Sequence, residues 1–181
     1  VLVDDVGHGV ATLPNAPLAA RPDPTLVGDF LRKAQEALER ADLNNAILYF
    51  RDLLDVDGDN VEGYLGRGRC LVELGDYAAA MSDFQRSEDL DPKSPEPLVE
   101  MGNLFFARKE YRRAIEIYDQ AIELERNHAM AHCRRGICQH YRKNYDAAIK
   151  DLQRAQRLDP NIPNITKYVK MAVKASMTRP R

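Results

Sequence analysis

The 181-residue sequence has no Trp, only three Cys, and no apolar run near the roughly 18 residues that a membrane-spanning helix requires. Membrane insertion is therefore not expected. Three cysteines, an odd number without short spacings, do not suit a disulfide framework, so a reducing, cytoplasmic compartment is expected, with a place in a large assembly compatible with it. A secretory leader is not expected either, because Asp4, Asp5 and His8 interrupt the only apolar stretch near the start. An excess of one charge is also lacking: 26 Lys and Arg stand against 28 Asp and Glu, a formal net charge of −2. As a total, that argues against a nucleic-acid partner. No nucleophile elbow, phosphate-binding glycine loop or Ser/His/Asp arrangement is present, so neither catalysis nor a cofactor is expected. What is there is 44% hydrophobic and 30% charged residues, enough to bury the core of one domain or one compact array. The chain opens on Val1 without an initiating Met and is expected to be an excerpt of a longer protein.

Residues 1–26 differ from the rest. Pro14, Pro17, Pro22 and Pro24, with Gly7 and Gly9, disfavour a helix, and an extended arm is expected. From Val27 the chain repeats itself. Leu43, Tyr77, Tyr111 and Tyr145 each begin matching blocks 34 residues apart, as do Ala34, Gly68, Gly102 and Gly136, and Phe50, Phe84, Tyr118 and Leu152. Four units follow, at 27–60, 61–94, 95–128 and 129–162. Within the third, Leu98, Met101, Leu104 and Phe105 form one helical stripe, and Ala114, Ile117, Tyr118, Ala121 and Ile122 a second. Each unit is thus predicted to be a helical hairpin with a short polar turn. The recurrent Gly and Ala let its two backbones approach. Beyond the last unit, 163–181 is predicted to hold a ninth helix, opened by Pro163 and running to about Met177, that covers the end of the array.

These residues resemble the tetratricopeptide repeat, whose period is 34 and which wants small residues at its eighth and twentieth positions and aromatics at its seventeenth and twenty-fourth. The first unit matches least well, with Lys33, Ala34, Leu43 and Gly58 where Leu, Gly, Tyr and Pro are usual. The resemblance implies an all-α, right-handed superhelical solenoid whose concave face is lined by the first helix of each unit. It also implies a peptide-binding groove formed by residues including Leu31, Gln35, Leu65, Arg69, Val72, Val99, Asn103, Phe106, Cys133, Arg134, Ile137 and Tyr141. Arg69 and Asn103, at equivalent positions of neighbouring units, could hydrogen-bond the main chain of an extended peptide. Leu65, Val99, Phe106 and Ile137 could take its side chains. The aliphatic members of this set suit packing between repeats nearly as well.

Two metal readings fail on spacing. The run from Asp55 to Glu62 puts Asn60 and Gly66 where a calcium loop needs Gly and Glu. Cys133 and His140 share a helix face but stand about 10 Å apart along it. No metal is expected.

The function expected is therefore a non-catalytic protein-protein interaction module or scaffold that holds a peptide or helix of a partner. The alternative is self-association, head to tail, into a larger assembly. A co-chaperone role for Hsp70 or Hsp90 is disfavoured. The clamp positions of that subclass hold Leu31, Gln35, Gly66, Glu96 and Glu100, or Leu65, Arg69, Glu100, Met130 and Arg134, and the Glu residues would repel a terminal carboxylate. Residues 1–128 carry a net −11 and 129–181 a net +9, so a polar array hides behind the total of −2. Val1, Leu2, Val3, Val6, Leu13 and Leu18 are more apolar than a solvated tail needs, and part of 1–24 is expected to lie against the array's own surface or groove.

Overall fold

A computed structural model describes residues 22–178, so the expected docking of the arm lies almost wholly outside the described residues. Among those described there are nine helices and no strand: α1 (Pro24–Glu39), α2 (Leu43–Val56), α3 (Val61–Leu74), α4 (Tyr77–Leu90), α5 (Glu96–Ala107), α6 (Tyr111–Leu124), α7 (Ala129–Tyr141), α8 (Tyr145–Leu158) and α9 (Ile165–Met177). Each helix packs on its neighbours in sequence, and the first helices α3, α5, α7 and α9 also touch in turn. The result is a right-handed solenoid of helical hairpins.

Polar side chains set most of the starts. Asp42, Asn60 and Asp76 each accept a hydrogen bond from the main-chain N–H three residues on, at 2.8–3.2 Å. His128 does the same for α7, its Nδ1 accepting from the Ala131 N–H at 3.1 Å. That leaves the proton on Nε2, which donates to Glu96 Oε1 at 3.0 Å and ties the start of α7 to the start of α5. The turn inside every hairpin passes through the left-handed region at one repeating position: Ala41, Gly75, Lys109 and Lys143 have φ of 56°, 82°, 62° and 62°. Only the second hairpin uses the residue that adopts it without strain.

Two boundaries depart from expectation. The extended arm was expected to reach residue 26, but α1 begins at Pro24. Asp23 accepts from the Thr25 N–H at 2.9 Å, and a proline in the first turn loses no hydrogen bond because that donor would be free anyway. The ninth helix begins at Ile165 rather than Pro163, because Asn164 turns through φ 62° after Ile162 and brings buried Ile165 onto α8.

The close approach within hairpins is real. A Cβ at Gly68, Gly102 or Gly136 would sit 2.4, 2.4 and 2.9 Å from Phe84, Tyr118 and Leu152 of the facing helix. The core is consequently a row of small clusters, each spanning a junction between units, as when Cys138 joins Ala114, Tyr118 and Ala121.

Two hairpins bury charge where the third buries oil. Arg67 on α3 grips Asp83 on α4 with Nε and Nη2 at 2.8 and 2.7 Å. The equivalent Arg135 on α7 grips Asp151 on α8 at 2.7 and 2.6 Å and reaches Asp119 on α6 at 2.6 Å. His132 adds Nδ1 to Asp151 at 3.2 Å and Nε2 to the Arg126 carbonyl at 3.1 Å. Burial pushes the Asp151 carboxyl up, but the hydrogen bonds from His132 and Arg135 and their charge outweigh it and hold it below the usual value. In the third unit the same register holds Met101 and Ile117.

Cys70, Cys133 and Cys138 are free and buried. Burial pushes the Cys133 thiol up to about 11 and the Cys138 thiol up to about 12. At pH 8 the Cys133 thiol is therefore held almost wholly protonated. An aromatic disulfide reagent at that pH is expected to titrate none of the three in the native chain within minutes and all three in denaturant. Rapid native labelling of any one would show that its burial is wrong.

Candidate peptide-binding groove

The inner face is formed by α1, α3, α5 and α7, and it is hollow along its length. A depression of about 290 Å³ between the first two units is lined by Gln35, Leu38, Phe50 and Arg69, among others. A second, of about 380 Å³, is lined by Arg69, Val72, Glu100, Asn103, Phe106 and Arg134. A third, of about 180 Å³, runs from Arg134 past Met130 and Ile137 to Tyr168. Arg69 borders the first and second and Arg134 the second and third. The three hollows therefore lie in a row along the inner face, each sharing a wall with the next.

The residues singled out from the sequence divide into two sets. Leu65, Val99, Cys133 and Ile137 are at most 8% exposed and form the packed floor between repeats. Leu31, Val72, Asn103, Phe106 and Arg134 are half-buried, while Gln35 and Arg69 are exposed. Tyr141 is 53% exposed at the groove's edge, its ring stacked on Tyr111 at 4.8 Å between centroids and tilted against Phe106 at 5.9 Å. Three aromatic rings thus present a ledge beside the central hollow.

Arg69 and Asn103 do not stand free. Glu100, one turn before Asn103 on α5, accepts from Arg69 Nε at 2.7 Å and from Asn103 Nδ2 at 3.0 Å. The Tyr118 hydroxyl donates to Asn103 Oδ1 at 2.8 Å. Burial raises the Tyr118 phenol well above its ordinary value, so it stays protonated and donating. The chain of contacts fixes the amide's orientation and leaves one Asn103 N–H and the outer guanidinium nitrogens of Arg69 for a ligand. The Arg134 Nε, buried across the hollow, has no hydrogen-bond partner among the described residues. In sequence Glu100 reads only as an obstacle to a terminal carboxylate. Its separation of 31 residues from Arg69, one period less one helical step, is the signal that it belongs to the network.

The groove is acidic over its first half, where Glu62 and Glu73 line the first hollow with Arg69. Among the described residues no three His, Cys, Asp or Glu come together as metal ligands. No described helix is long and apolar enough to cross a membrane.

Comparison with known proteins agrees with this architecture. The chain is 26% identical over 149 residues to an Hsp70-Hsp90 organizing protein of Triticum aestivum, a match covering 79% of this chain and 26% of that protein. The chain thus spans about a quarter of that relative's length. A thermophilic repeat protein of Thermus thermophilus superposes with a TM-score of 0.74 at 17% identity, covering 84% of each chain. The first repeat domain of Spaghetti (RPAP3), solved with an HSP90 peptide bound, superposes with a TM-score of 0.60 at 23% identity over 65% of this chain and 94% of that one. Family models of the tetratricopeptide repeat match residues 31–95, 71–133 and 129–162. With its paired helices, recurrent small residues and hollow inner face, the chain belongs to the tetratricopeptide-repeat family.

Proposed function

We propose that the chain is a non-catalytic interaction module that holds a peptide or helix from a protein partner in the groove, in a reducing, cytoplasmic setting. The observation that supports this most strongly is the row of hollows beside the polar side chains Arg69, Asn103 and Arg134, with the Asn103 amide oriented by Tyr118 and an aromatic ledge beside it. Main-chain carbonyls and amides of an extended ligand suit such a row, and an apolar side chain suits the hollow beside Phe106. The peptide-bound relative lends the mode of binding by analogy of fold alone.

The partner's chemistry differs from that of the HSP90 peptide carboxylate. Glu100 lies at the heart of the polar row, with only 14% of its side chain exposed. A terminal carboxylate would meet its charge at close range, so a co-chaperone of that kind remains the less favoured reading.

Selection of peptides from a random display library against the full chain tests the groove. Selected peptides are expected to lose about tenfold or more in affinity on Phe106→Ala combined with Tyr141→Ala, measured at a temperature where circular dichroism shows the variant folded. Unaltered affinity in that variant, with the selected peptides still binding, would remove the groove as their site.

A further inference from the structure

The first and second hollows differ in their balance of charge. The second sets two arginines, Arg69 and Arg134, against two carboxylates, Glu73 and Glu100, whereas the first sets Arg69 alone against Glu62 and Glu73. The difference begins at one repeating height of the first helices, where the other units carry Arg32, Glu100 and Arg134 and α3 carries Gly66. The Phe50 ring takes the place of the missing side chain, so close that a Cβ on Gly66 would collide with it. An aromatic ring therefore lines the first hollow with Leu38, Leu43 and Cys70, and all of the hollow's charge stands on α3.

Little in the chain neutralises those carboxylates. Arg69 gives its Nε to Glu100 at 2.7 Å, so its charge is matched from outside the first hollow. The first two units hold eight Lys and Arg against fifteen Asp and Glu, and Arg32, Arg51, Arg67 and Arg86 are paired elsewhere. Glu62 and Glu73 are exposed and enter no ion pair among the described residues. They lie on one face of α3, about 16 Å apart along its axis, with the apolar wall between them. Lys and Arg suit such a place, because their alkyl stems cover apolar surface while the charged head stays at the rim, and a ring beside the stem favours a cation further. Residues 1–20 contain no Lys or Arg, so the chain's own N-terminal segment does not bring that charge.

We propose that the first hollow selects a basic segment of the partner, taking Lys or Arg side chains whose stems lie along Leu38 and Phe50 and whose heads meet Glu62 and Glu73. The proposal rests on the groove being a peptide site and names the chemistry that this site prefers. An extended segment of about five residues spans the two carboxylates. The apolar side chain beside Phe106 supplies burial, and the acidic first hollow fixes which end of the row the basic segment occupies and hastens its approach. A peptide with an acidic segment at that end would set its charge against two unmatched carboxylates.

The probes that test this are library-selected peptides whose affinity for the full chain falls in Phe106→Ala combined with Tyr141→Ala. They are synthesised with acetylated and amidated ends, so that only side chains carry charge. These peptides are expected to share Lys or Arg at a fixed distance from their apolar residue and to bind less well as salt rises. Replacing the shared cation by norleucine, which keeps the stem and removes the charge, should cost about fivefold on the parent chain and almost nothing on Glu62→Gln combined with Glu73→Gln. Glu62→Lys combined with Glu73→Lys, substitutions at exposed positions, should bind better to versions with Glu in place of the cation, which separates recognition from loss of fold. Peptides that need Phe106 and Tyr141 but share no cation, or an equal norleucine loss on the parent and the Gln variant, would overturn the proposal and leave the groove reading standing. A library that yields no peptide dependent on Phe106 and Tyr141 overturns both. Dimerisation of the free chain that the Gln variant abolishes would also overturn the proposal, since the basic end of a second copy is then the occupant.

Discussion

Replacing Arg67 by Met is expected to destabilise the chain by about 3–5 kcal/mol, and adding Asp83→Ile to bring stability back to within about 1 kcal/mol of the parent. The asymmetry follows from where each charge lies. The Asp83 side chain is 8% exposed and both its oxygens are held by Arg67, so removing the arginine strands a carboxylate with no route to water. The converse single change, Asp83→Ile, is expected to cost less. Arg67 keeps 25% of its side chain exposed and its guanidinium lies 5.7 Å from the Tyr64 ring, so it retains water and a partial partner. The double variant reproduces the register that the third unit already packs, Met101 on α5 and Ile117 on α6, both within the neighbouring apolar cluster. Urea denaturation of the three variants measures this directly. A double variant as unstable as Arg67→Met would show that the ion pair is needed for more than satisfying its own charges.

The second large effect concerns Gly102. A Cβ there would meet Tyr118 at 2.4 Å, and the ring cannot swing aside because it is wholly buried and its hydroxyl is bonded to Asn103 at 2.8 Å. Overpacking of this kind costs about 1–3 kcal/mol and occasionally more, against about 1 kcal/mol that alanine gains over glycine in a helix. Gly102→Ala is therefore expected to lose up to about 2 kcal/mol net, and Gly102→Val, with its branched side chain, about 3 kcal/mol or more. Gly28 on α1 has open space where its Cβ would be, so Gly28→Ala is expected to gain about 0.5–1 kcal/mol. Thermal denaturation of the pair should move the midpoint in opposite directions. A stabilising Gly102→Ala would mean that the two helices of this hairpin are not held as close as the structure has them. Because Tyr118 also orients Asn103, the valine variant is expected to weaken peptide binding as well as the fold.

The hairpins were legible because a 34-residue period leaves the same small and aromatic residues at the same heights, and that spacing requires paired helices whatever their surface chemistry. The start of α1 was less so. Asp23-Pro24 reads equally as the end of an extended arm or as a cap followed by a first-turn proline, and only packing of Ala34 and Ala37 on α2 decides between them. At the groove, repeat positions indicated which residues face inward but not how deep they lie. Val99 and Ile137 sink into junctions between units, where burial depends on neighbours far away in the chain. The tie between Arg69 and Glu100 joins positions that differ within their units, so a comparison restricted to equivalent positions misses it. The buried pairs had a visible sign, since Arg67 and Asp83 recur as Arg135 and Asp151 at twice the basic period.

That doubled spacing bears on how the chain avoids folding wrongly. An array of near-identical hairpins can slip, one first helix seizing the second helix of the adjacent unit, and little in the apolar pattern opposes the exchange. Here a slip that placed α3 on α6 would press Arg67 against Ile117, and one that placed α5 on α4 would press Met101 against Asp83. The first costs Arg67 its partner, and the second leaves the Asp83 carboxylate in a dry seam with nothing opposite it, the larger error and one that favours expelling the wrong partner before the rest of the solenoid closes. The alternation of charged and oily hairpins from the second unit to the fourth thus acts as a key that those pairs of helices must match.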